Sequence, residues 1–456
     1  MLRQAAISLL VLSVSLPALP RTRAHYGGTL RVEIEGDPSA LNATQGSSLA
    51  RRLIFDGLTR VSADGTVQPA LAVRWASENN DHRWQFWMRP GVHFQDGSAL
   101  TSAVVESSLS GSCGSACPWT AVHAVGSSVV FTTDSPMPNL PAQLAGDDFL
   151  IARAGNINSA PGSVPGLFIG TGAFQRDGFS NGVLTLVAND SCWEGRPFLD
   201  KIEIEGRKPI RDQWLDLSVG RADIVEVPAE ELRHAQQEHL TVIVSPPVSL
   251  LALAVADAGT LSNPNLRAAI ALAVDRGTLS NVIFQKQGEI TASLLPSALT
   301  GYSFLFPTDR DVNKAHELRG GLTPPPLTLR AEGGATMQLA AQRIALNLRE
   351  AGFSVQVAAN GSQQHTDLIL TKLTLASSEP QSALDLLLRE VGVTPPVHDP
   401  TPAGQFKTEH DFLQTHTLIP LLFLPRAYAV SGRVRDLRLS SDGIPLLAGA
   451  SLEDTP

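Results

Sequence analysis

Few residues in this sequence have both the type and the spacing that chemistry requires. His410 and His416 flank an expected helix, yet six positions apart they do not share a face, and no second ligand pair accompanies them. Cys113 and Cys117 form a CxxxC in a Ser/Gly segment, a weak metal signal that reads equally well as a local disulfide or as two free thiols. Cys192 is left over and reads as a buried apolar residue. Asp147-Asp148 could pair as carboxylates, but a solvated turn explains them better. Gly170-Thr171-Gly172 is half of a glycine fingerprint, without the third glycine and the helix that would cradle phosphate. No GxxxxGK[ST], HExxH or GxSxG run occurs. No catalytic residue, metal ligand or cofactor is assigned on these grounds, and a cysteine nucleophile at Cys113 or Cys117 is the weakest reading.

The composition, with 37 Gly, 31 Pro and 5% aromatic residues, favours a loop-rich globular protein over a helical bundle. The chain has 456 residues, enough for two or three domains, and a formal charge of −9 from 35 Lys+Arg against 44 Asp+Glu. That balance offers no basic face for nucleic acid. With 43% hydrophobic and 17% charged residues it can bury a sizeable core. The first 24 residues read as an export signal: Arg3, then the apolar run Ala5 to Leu19 broken by Pro17, then Thr22-Arg23-Ala24 with small residues at −3 and −1. Cleavage is expected after Ala24, with no lipid anchor because no cysteine follows the run. The run is also too short to span a bilayer.

The elements that must position any site can be read from periodicity. Gly28 to Ile34 alternates as a strand, and Leu49 to Phe55 suits a short helix. Asp64-Gly65 signals a hairpin turn, and Trp84, Phe86 and Met88 share one strand face. Thr101 is an N-cap candidate, whereas Ser107 to Ala116 reads as irregular. Leu266 to Val274 carries a helical stripe behind Asn263-Pro264. The clearest unit is Leu327 to Ala331, then Met337, Ala340, Ala341, Ile344 and Leu348 at helical spacing, then Gly352 and the strand Phe353 to Val357. Strand, helix, strand at that length predicts a parallel, right-handed βαβ unit. Asp367 to Leu370 adds a further strand.

The segment FDGLTRVSADGTVQPALAVRWASENNDHRWQFWMRPGVHFQDGSALTSAVV, Phe55 to Val105, resembles the signature of the family 5 extracellular solute-binding proteins, the peptide- and nickel-binding subunits of ABC importers. Gly57-Leu58, Pro69 to Ala72, Trp75, Arg89 to Val92, Phe94 and Asp96-Gly97 carry the match. Gly170 to Phe174 (GTGAF), Asn189 to Leu199, Gly220 to Ile224, Asn265 to Arg276 and Ile419-Pro420-Leu421 continue it in the family's order.

The resemblance implies an α/β, two-lobed periplasmic binding protein fold of type II with a reduced extra small domain. Lobe I is expected at 25–45, 167–247 and 418–456, the small domain at 46–166 and lobe II at 248–417. It implies a periplasmic receptor, not an enzyme, that is monomeric and delivers a small-molecule or peptide ligand to permease subunits in the inner membrane. Candidate cleft residues are Glu35, Asp37, Asn42, Thr171 and Asp257. Two departures stand out. The small domain is cut short after Val105. In the second lobe the family's WGADYPDP run aligns so that Leu373 replaces the tryptophan and Ala376 the aspartate that grips a peptide's amino terminus. An alanine cannot pair with ammonium, so the usual amine anchor is not expected. The departures also admit a paralogue without transport, acting as a periplasmic chaperone or sensor partner.

Overall fold

The computed structural model describes residues 25–34, 36–38, 47–62, 65–112, 117–154, 168–302, 306–322, 324–359, 366–375, 380–393 and 401–453. Glu35, Asn42, Cys113 and Ala376 lie outside them, as does the expected export signal.

The framework is a mixed sheet whose two halves are sewn together by two long strands. One half runs in the order Phe174–Ser180, Val183–Ala188, Lys201–Gly206, Thr29–Ile34, Ile224–Val227. The strands Leu418–Val430 and Val242–Val255 come next, and the sheet continues through Leu368–Thr374, Leu327–Ala331 and Val355–Val357. Thr29–Ile34 pairs in parallel with Lys201–Gly206, Thr29 opposite Lys201, and buries Leu30, Val32 and Ile34. The expected βαβ unit is present. Helix Ala335–Glu350 crosses between strands that pair in parallel, Leu327 opposite Val355, and the predicted stripe Met337, Ala340, Ala341, Ile344, Leu348 is buried. Gly352, at φ +84°, supplies the left-handed residue that ends this helix's last turn.

The two long strands, 14 and 13 residues, pass from one half to the other. Their pairing is irregular around Pro247, which faces Pro425. Proline donates no N–H, so two prolines facing each other interrupt the ladder where the halves meet.

A separate four-stranded antiparallel sheet, Ala72–Glu78, Arg83–Met88, Ser128–Thr132 and Ala121–Val125, forms a third unit with its own core of Trp84, Phe86, Phe94 and Phe131. Its helix spans Ser102–Ser112, which corrects the irregular segment expected from Ser107 onward. Val105 and Leu109 are both fully buried one helical turn apart, and that anchoring outweighs the poor propensity of Ser and Gly. Cys117 is disulfide-bonded and Cys192 is free. Among the described residues no helix is long and apolar enough to cross a membrane.

Candidate functional site

A cleft of about 690 Å³ opens where the two halves of the sheet meet. One wall comes from Ile34, Asp37, Leu49, Glu226, Tyr428 and Ile444; the other from Glu332, Gly333, Gly334, Met337 and Lys372, with Arg426 on the crossing strand. Each polar group has a local reason to be there. Asp37 follows the first strand and pairs with Arg207. Lys372 alternates out of the apolar strand Leu368–Thr374, opposite Leu251. Gly333, at φ +127°, and Gly334 line the cleft and lead into helix Ala335–Glu350, whose N-cap, Gly334, has no side chain to cap the first-turn N–H groups.

Arg426 is fixed from two sides. Its backbone N–H donates to Ser245 Oγ at 2.9 Å and its Nη2 donates to Thr374 Oγ1 at 2.9 Å. Tyr428 is buried beside it, and burial, with Glu226 nearby, pushes the phenol well above the usual range. Glu332 accepts from Arg330 Nη2 at 3.0 Å. The ion pairs of Asp37 and Glu332 therefore use residues outside the cleft lining. The Lys372 ammonium has no ion-pair or hydrogen-bond partner among the described residues.

Of the five residues expected in the cleft, Asp37 lines it. Thr171 is fully buried elsewhere, its Oγ1 donating to Asp56 Oδ2 at 2.7 Å, where Trp193 Nε1 also donates at 2.9 Å. A Cβ on Gly170 would stand 2.0 Å from the Ile54 carbonyl oxygen, and one on Gly172 2.5 Å from that of Leu53. The half-fingerprint is thus a close backbone junction against the segment that enters the third unit. Asp257 accepts from Arg267 Nη1 at 2.8 Å and lines a different cavity of about 430 Å³ with Thr366, Asp367 and Phe412. Glu35 and Asn42 are outside the described residues. Glu226, Lys372 and Arg426 escaped the sequence reading. The signal was present, since Lys372 and Arg426 are lone cations inside the apolar runs LILTKLTL and LIPLLFLPRAYAV. Among the described residues no group of His, Cys, Asp or Glu could hold a metal ion.

A two-part α/β sheet with a polar cleft at the crossing strands defines a solute-binding fold, and comparison with known proteins gives the family. The bacterial extracellular solute-binding proteins of family 5 match residues 66–395, and the chain belongs to that family. It is a family of ABC-transport binding proteins rather than enzymes. The nickel-binding protein NikA of Staphylococcus aureus is 24% identical over 186 residues, 39% of this chain but only 37% of that relative. "Probable di/tripeptide-binding protein 5" of Pseudomonas aeruginosa is 24% identical over 411 residues, 78% of this chain and 76% of the relative. In structure, S. aureus NikA solved with Ni(L-His)2 superposes with a TM-score of 0.80 at 15% identity, covering 93% of this chain and 100% of that one. DppA of Helicobacter pylori with the peptide STSA gives 0.79 at 17% identity, covering 94% and 99%.

Proposed function

We propose that this chain is the periplasmic receptor of an ABC importer and that its solute carries an acidic group seated on Lys372. The observation that carries the second part is the unpartnered ammonium in the cleft. Asp37 is neutralised by Arg207 and Glu332 by Arg330, whereas the Lys372 ammonium meets no carboxylate among the described residues. A ligand carboxylate between Lys372 and the open first turn at Gly333-Gly334 completes the charge balance and gains from the helix dipole. The opposite wall is lined by Leu49, Tyr428 and Ile444 as well as by the paired Asp37, so the rest of the molecule meets a mixed polar and apolar surface. A short peptide or an amino-acid conjugate carries such an acid. The solute is held by its acid end, in keeping with the loss of the family's amine-anchoring aspartate at Ala376.

In this reading the leader is removed after Ala24, the lobes fall at the boundaries expected from the sequence, and a permease in the inner membrane receives the closed form. Calorimetry with a panel of tripeptides and their C-terminal amides tests it. The free acids are expected to bind at least about tenfold more tightly than the amides, and Lys372→Met to remove that difference by weakening the acids alone. Equal binding of acid and amide overturns the acid-end reading, and micromolar binding that depends only on a free amino group replaces it with the ordinary mode.

A further inference from the structure

Two buried arginines lie near His416 in the half of the molecule that holds the βαβ unit, and they are treated differently. Arg267 is 6% exposed and donates from Nη1 to Asp257 Oδ1 at 2.8 Å. Arg276 is 4% exposed and, among the described residues, meets no carboxylate. Its Nε donates to the Pro420 carbonyl at 3.1 Å and its Nη1 to those of Ala271 and Thr308 at 3.3 and 3.4 Å. Nη2 has no hydrogen-bond partner among the described residues.

The local sequence explains the placement. Asp275 caps the turn Arg276–Thr278 through the Thr278 N–H, and this folds the guanidinium back over the last carbonyls of helix Pro264–Ala273. Such carbonyls carry the negative end of a helix dipole, roughly half a charge at most, so they do not balance a full guanidinium charge. A buried ion without a counter-ion is costly, and burial alone pulls the Arg276 pKa down to about 10.

Beside Arg276 lies a cavity of about 60 Å³, larger than the roughly 10–15 Å³ that one water needs by the same kind of measure. His416 shares its lining, and the remaining wall is apolar, with Phe306 and Leu418 among it and, among the described residues, no carboxylate. Burial, and then the positive charges of Arg267 and Arg276, hold the His416 imidazole below its ordinary value, so the field in this pocket is positive even with the ring neutral.

We propose that this cavity is a binding site for a small inorganic monoanion of chloride size, held by Arg276 with His416 beside it. The site is built from lobe-core elements, the helix Pro264–Ala273 and the strand Leu418–Val430, and is separate from the solute cleft. The anion supplies the counter-charge that Asp257 supplies to Arg267, so its occupancy is read as thermal stability.

The test is the melting of the full chain as chloride replaces gluconate at fixed ionic strength. A saturable rise of roughly 2 °C is expected, with bromide acting like chloride. Ala292→Val narrows the cavity while leaving Arg276 and its carbonyl contacts in place, and is expected to abolish the rise. Crystals grown in bromide should show an anomalous peak within hydrogen-bond distance of Arg276 Nη2. Coincident melts in chloride and gluconate, an undiminished rise in Ala292→Val, or a cavity without bromide overturns the proposal.

Discussion

At the scale of single residues, the buried charges outside the cleft make firm predictions because their partners are few. Glu409 is fully buried, its Oε1 accepting from the Leu294 and Leu295 N–H groups at 2.7 and 3.2 Å and its Oε2 from the Tyr302 hydroxyl at 2.9 Å. Burial outweighs those bonds and raises its pKa from 4.5 to about 7. A carboxyl whose folded pKa is raised stabilises the fold fully below its unfolded value, and that stability is lost as pH climbs through the folded value. Glu409→Gln keeps an oxygen for the two N–H groups and removes the titration. The variant is therefore expected to gain on the parent as pH rises from 4.5 to about 7, by up to about 3 kcal/mol, in urea melts across that range. Lys208 is the opposite case. Burial works against its charge, but bonds to Asp216, Glu33 at 2.8 Å and Glu205 at 3.1 Å outweigh it and hold the amine well above the usual lysine range. Glu33 is 4% exposed, so Lys208→Met leaves its carboxyl buried with no cation. We expect a loss of about 3 kcal/mol. The loss should be smaller at acid pH, where Glu33, raised to about 7 mainly by burial, is already protonated.

At the scale of elements, the glycines of the GTG junction separate backbone proximity from mere turn chemistry. Gly172→Ala would set a methyl 2.5 Å from the Leu53 oxygen and 2.7 Å from the Ile54 carbonyl carbon, both backbone atoms that cannot swing aside. The expected cost is about 2 kcal/mol or more, read by thermal melting. Gly178, in the strand Phe174–Ser180, has nothing within 4 Å of its would-be Cβ, and Gly178→Ala is expected to be close to neutral. This is also the scale at which the sequence spoke most clearly. Apolar stripes are local, so the βαβ unit from Leu327 to Val357 and the helix Pro264–Ala273 could be read directly. Ser102–Ser112 could not, because what makes it helical is the seat that the third unit's aromatic core provides for Val105 and Leu109. Among the described residues, Asp37 is the expected cleft position that lines the cavity, and it directly follows a readable strand. Glu226, Lys372 and Arg426 come from three strands far apart in sequence, and only the sheet order brings them to one cavity. Thr171, expected as a cleft residue, lies away from this cavity bonded to Asp56, and its neighbours Gly170 and Gly172 pack against Leu53 and Ile54.

At the scale of the whole molecule, the question is which parts move together when a solute enters. The third unit is tied to the half of the sheet that begins with Thr29–Ile34. Arg52 donates from Nε to Asp147 Oδ1 at 2.6 Å and forks onto both Asp442 oxygens at 3.0 and 2.6 Å. Asp442 lies in the chain's last segment and Asp147 in the third unit, so one arginine joins the two. Only the two long strands, irregular at Pro247 and Pro425, connect that assembly to the other half through the sheet. Rotation about them is the natural closing motion of such a fold. In the structure, helix Pro380–Glu390 of the other half already rests against the third unit, with Ser382, Asp385 and Arg389 facing Gln143 and Phe149 around a small gap. Arg389 is also an electrostatic neighbour of Asp148. A contact made across the cleft exists only when the halves are together, so it shifts the open–closed equilibrium without contributing to the fold of either part. Arg389→Glu sets a carboxylate beside Asp148 and should favour the open state. The expected result is a solute Kd raised by roughly three- to tenfold, mainly through faster release in stopped-flow measurements, with the melting temperature of the unliganded protein unchanged. An unchanged Kd would mean that the helix and the third unit touch in the open state as well, and that closure is governed by the cleft residues alone.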